Sequence, residues 1–188
     1  MDSQKIILPL RLFLSGAIFG AVGCVLQPYP IPAALLFGGC ALLWLLGCFF
    51  AREARGEFRS AVKFILAMGT LLVVCSLLGS RSPAGILALG CGATVYFSIS
   101  LLSSGCQAVQ ENRAPDDRVS PPQISTWFEY CAGIFALARA AGAVAPDYSF
   151  LAELCAMGSL LIGFCLLARF FASILHQQAP GEPPLCQK

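Results

Sequence analysis

Arg139 and Glu153 carry opposite charges inside apolar sequence, on either side of the turn Pro146-Asp147-Tyr148-Ser149. Arg139 falls about five residues before the outer end of the fifth span, about 7 Å deep at about 1.5 Å of helix rise per residue, and Glu153 lies at a similar depth on the sixth. An isolated charge at such a depth in a membrane costs about 2.5–3.5 kcal/mol or more, so a partner is expected. The spacing predicts that both face the protein interior and pair, directly or through a ligand. Tyr29, Arg81 and Tyr148 belong to turns at the same predicted end. With Arg139 and Glu153 they form the candidate ligand-binding set, and a purely structural ion pair is the competing reading.

A second pattern serves packing rather than chemistry. Gly16 and Gly20 form G-x-x-x-G, with Ala17 and Ala21 on the neighbouring stripe. Small residues four apart let helix backbones approach closely where no hydrophobic drive operates. The stripe predicts packing onto another helix of the same chain or docking of a membrane-protein partner, a second copy included. Thr126-Trp127-Phe128-Glu129 matches the capping box T-x-x-E and predicts a helix start there. Glu111, Asp116 and Asp117 read as a solvated loop.

Other chemistry is excluded by what the sequence lacks. H-E-x-x-H, P-loop and G-x-S-x-G motifs are all missing. No C-x-x-C occurs and His176 is the single histidine, so no metal site is expected. Of ten cysteines, eight (Cys24, Cys40, Cys48, Cys75, Cys91, Cys131, Cys155, Cys165) lie inside apolar runs and read as small buried hydrophobes. No catalytic constellation is found and no cofactor is expected. A net charge of +2 gives no basic field for nucleic acid.

The elements that would position these residues follow from composition. The chain has 188 residues, 57% hydrophobic and 12% charged, with a mean hydropathy of +0.77. Soluble domains carry about 25% charged residues, and a soluble fold of this size cannot hide so much apolar surface. The lipid bilayer is therefore the expected solvent. Leu12 to Ala51 holds no charge, and Gln27-Pro28-Tyr29-Pro30-Ile31-Pro32 divides it into two spans. The full reading is an all-α, polytopic bundle of three helical hairpins in a single domain, residues 1–176. Its spans are about 6–26, 33–51, 61–78, 84–104, 127–144 and 150–173, followed by a flexible tail, 177–188. The alternative is four spans plus a re-entrant or interfacial fifth element. Arg52–Arg59 and Glu111–Gln123 are expected as cytoplasmic loops.

Orientation follows from the cations. With six spans and the N-terminus inside, Lys5, Arg11, Arg52, Arg55, Arg59, Lys63, Arg113, Arg118, Arg169 and Lys188 face the cytoplasm. Only Arg81 and Arg139 lie on the other side. Both termini are thus expected inside, in a multi-pass protein of the cell membrane, of bacterial cytoplasmic type. Pro32–Cys40 and Pro83–Cys91 match at five of nine positions, ending in Gly-Cys both times, and Pro146–Cys155 is a looser echo. Repeated hairpins or chance similarity in low-diversity sequence explain this equally well. Ala21-Val22-Gly23-Cys24 faintly resembles a lipoprotein cleavage site, but Ala21 is a poor substitute for the usual branched residue.

The size, six spans, inside termini and small-residue first helix resemble the substrate-binding subunits of energy-coupling-factor vitamin importers. The resemblance is architectural and brings no substrate motif. It implies a small membrane protein that binds or transports a small neutral or weakly polar solute, as the membrane subunit of a larger transporter. The other class is a non-transporting scaffold, assembly factor or sensor that acts through its cytoplasmic loops.

Overall fold

A computed structural model of the chain describes residues 4–52, 56–78, 85–111 and 122–178. Among these, six α-helices and one short 3-10 turn are present and no strand. They are α1 (Gln4–Val25), α2 (Pro30–Ala51), α3 (Gly56–Leu78), α4 (Gly85–Glu111), α5 (Pro122–Val144) and α6 (Ser149–Gln178), with the 3-10 turn at Pro146–Tyr148. Each helix packs antiparallel on the next, and α6 closes onto α1, so the six form a ring.

Four helices contain segments long and apolar enough to cross a membrane: Ile7–Val25, Pro30–Ala51, Gly56–Leu77 and Ser149–His176. The apolar part of α5 is shorter, Tyr130–Gly142. Large apolar side chains such as Leu35, Leu42, Leu66, Leu137 and Ile162 point away from the bundle and are exposed. A surface of that kind suits lipid and not water, and the chain is a helical membrane protein. The exposed cations Arg11, Arg59, Lys63 and Arg169 lie toward the end that carries the first and last described residues.

Burial follows helical periodicity even where hydropathy does not. In α1 the buried hydrophobic side chains include Leu10, Phe13, Ala17 and Cys24, whereas Ile18, Phe19, Val22 and Val25 are exposed. In α3 the stripe Phe58, Ala61, Ile65, Met68 and Leu72 recurs at three and four residues. The hydroxyls inside the helices turn back on their own backbones. Thr70 donates to the Leu66 carbonyl (2.9 Å), Ser76 to Leu72 (2.8 Å) and Ser98 to Thr94 (2.6 Å). These groups need no polar partner from another helix, so they mark no polar path through the membrane.

Several helix boundaries differ from the sequence reading, most of them by an earlier start or a later end. α2 begins at Pro30, not at 33, because a proline in the first turn lacks only an N–H that has no helical acceptor there. Tyr29 precedes it in extended backbone, with φ −109° and ψ 95°. α3 begins at Gly56 and takes Glu57, Phe58 and Arg59 out of the expected connector. Its reason is Phe58, which is buried and extends the apolar stripe by one turn. α5 begins at Pro122, so Thr126 lies inside the helix and the expected capping box does not start it. α6 runs to Gln178, two residues into the expected tail. Residues 112–121 and 179–188 of the expected loop and tail lie outside the described residues.

Candidate functional site

The bundle has two unlike halves. Toward the end where α3 begins, aromatic rings meet across the ring of helices. Phe13 of α1 stacks on Phe58 of α3 at 5.9 Å between centroids, and packs at a tilt on Phe171 of α6 at 5.5 Å. α1 and α3 are not neighbours in the ring, so this contact crosses its centre and fills it. One level further along, Trp44 of α2 packs on Phe164 of α6 at 5.8 Å. The buried indole Nε1–H donates to the Phe13 carbonyl oxygen at 3.0 Å, which ties α2 to α1.

The small residues of α1 make this packing feasible. A Cβ on Gly16 would collide with the Trp44 indole, and one on Gly20 with the Phe164 ring. Ala17 is fully buried and Ala21 packs against the core. The small-residue face of α1 is therefore occupied from within the chain, by α2 and α6.

The opposite half holds the charges. Arg139 lies five residues before the end of α5, and Glu153 four residues into α6. Their helices pack together, and Arg139 Nη1 donates to Glu153 Oε1 at 3.5 Å. The arginine side chain is 11% exposed and the glutamate 36%.

Of the five residues expected to bind a ligand, Arg139 and Glu153 are brought together. Tyr29 and Tyr148 stand exposed on their turns, and Arg81 lies outside the described residues.

The chemical capacity of the Arg139–Glu153 pair follows from its donors. A guanidinium has five N–H donors in a fixed fork, and one carboxylate oxygen at 3.5 Å satisfies only part of it. The remaining donors suit an acceptor-bearing group in an interior with few other polar partners. No family model, curated protein or solved structure matches the chain.

Proposed function

We propose that this membrane protein binds a small neutral or weakly polar solute at the outer end of a six-span bundle, with both termini in the cytoplasm. The observation that carries the reading is Arg139, a largely buried cation held by one partially exposed carboxylate. Ionisable residues at such positions mark ligand or substrate sites by default, because packing alone would favour an apolar residue there. Arg139 would donate to a carbonyl or amide oxygen of the solute, and Glu153 would accept from an N–H or O–H. Transport through the chain would require the helices to move, because Phe13, Phe58 and Phe171 meet across the centre of the opposite half. A role as the membrane subunit of a larger transporter fits that requirement, since a partner would supply the movement.

Thermal unfolding of the purified protein against a panel of vitamins and metabolites tests the reading. At least one compound is expected to raise the melting temperature, and Arg139→Gln to abolish that rise. A flat response across the panel, with a defined partner bound through the polar segments 52–59 and 111–118, would overturn it in favour of the scaffold reading.

A further inference from the structure

Five cations stand on the outside of the aromatic half. Arg11, Arg52, Arg59, Lys63 and Arg169 are all exposed, and they lie at the end where α1 and α3 begin and α2 and α6 finish. Three of them sit well inside apolar sequence. Arg11 is four residues inside Ile7–Val25, and Lys63 and Arg169 are each seven residues inside Gly56–Leu77 and Ser149–His176. At about 1.5 Å per residue these depths are about 6 and about 10 Å. The rings of Phe13, Phe58 and Phe171 tie the same three helices together at this end.

Each of the three shares its helix face with side chains that point to lipid. Arg11 follows the stripe of Leu8 and Ile18, Lys63 that of Leu66 and Leu77, and Arg169 that of Ile162. These cations therefore face the bilayer and not the bundle. Among the described side chains, Glu57 is the one carboxylate at this end, and none of the five cations is paired with a carboxylate. Arg52 instead lies over the exposed Phe49 ring, 4.3 Å from its centroid. A charge in hydrocarbon is costly, and long basic side chains relieve the cost by reaching to the headgroups.

We infer that this end of the bundle binds anionic phospholipid, with headgroup phosphates held by Arg11, Lys63 and Arg169 and drawn in by Arg52 and Arg59 at the rim. The described side chains supply five positive charges there against the single carboxylate of Glu57, so the protein does not neutralise its own surface. A zwitterionic headgroup brings a cation along with its phosphate and leaves that excess in place. A net-negative headgroup removes it, which is how basic residues near a membrane surface gain from anionic lipid. The opposite end offers no such surface among the described residues, because Arg139 is largely buried and paired with Glu153. Anionic lipid is thus selected in one leaflet. This inference rests on the membrane setting and is independent of the solute reading.

The test is native mass spectrometry of the full chain, delipidated in a non-ionic detergent and offered equimolar phosphatidylglycerol and phosphatidylcholine. Phosphatidylglycerol adducts are expected to dominate. Lys63→Gln should lower the ratio of the two adducts about fivefold, the worth of one basic residue near an anionic surface. Arg11→Gln/Lys63→Gln/Arg169→Gln should bring the ratio close to one, and Arg11→Lys/Arg169→Lys should leave it as it was. Equal retention of both lipids by the unsubstituted chain, or an unchanged ratio in the triple variant, would overturn the inference. Displacement of phosphatidylglycerol by excess inorganic phosphate would overturn it too, by marking a site for free anions. If the triple variant fails to fold, the three single variants decide, and a ratio unmoved in all of them overturns the inference. Solute-induced stabilisation without lipid preference overturns this inference alone, and lipid preference without stabilisation overturns the solute reading alone.

Discussion

The two halves of this bundle solve the same packing problem with different materials. Around Phe13, Trp44, Phe58, Phe164 and Phe171 the centre is filled by rings, and glycines on α1 admit them. Around Arg139 a largely buried guanidinium is paired with a partly exposed carboxylate. Aromatic packing is dense and gains dispersion energy over many atoms. A charged layer is costly in lipid and is stable only when its members satisfy one another. The aromatic half is therefore expected to carry stability, and the charged half to carry function.

Mutations in the two halves should separate along that line. The largest effect is expected from Trp44→Ala, which removes the contact with Phe164, the filling of the Gly16 notch and the hydrogen bond to Phe13. A loss of about 3–5 kcal/mol, the range for deleting a buried large aromatic, should appear in denaturant unfolding with solute binding intact in the surviving folded protein. Gly20→Leu comes next. Its side chain would displace the Phe164 ring, and overpacking of this kind costs about 1–3 kcal/mol.

Arg139→Gln should cost less, about 1–2 kcal/mol, because the Glu153 side chain it leaves behind is 36% exposed and can be hydrated. The double variant Arg139→Gln/Glu153→Gln should recover most of that stability in the same unfolding assay while solute binding stays lost. Recovery of both would make the pair a structural element and erase the contrast between the halves. The smallest effect is expected at Thr126. Loss of a helix N-cap costs about 1 kcal/mol, whereas Thr126 lies inside α5. Thr126→Ala should therefore leave unfolding unchanged or stabilise the protein by up to about 0.5 kcal/mol, from helix propensity.

Much of the fold was legible because a bilayer makes strict demands on a chain. Apolar runs of fixed length must be helices, and the proline and glycine clusters between them must be turns. The ends were less legible. Phe58 sits beside three charged residues of a polar segment, and composition averaged over that segment hides its burial. The stripe that continues through it at three and four residues was the better guide. Prolines 30 and 32 read as breakers, yet both fit a first helical turn. Of the site, the Arg139–Glu153 pair was legible because each charge is conspicuous and the turn between them is short.

By itself the sequence determined the solvent, the helical class and the approximate helices, because hydropathy and chain breakers act locally. Tertiary structure decided which side of each helix faces inward. Lipid-facing and interior-facing residues are equally apolar here, so no hydropathy contrast distinguishes them, and packing geometry alone does. It was the closure of α6 onto α1 that set Gly20 against Phe164. Arg139 meets Glu153 because α5 and α6 pack together.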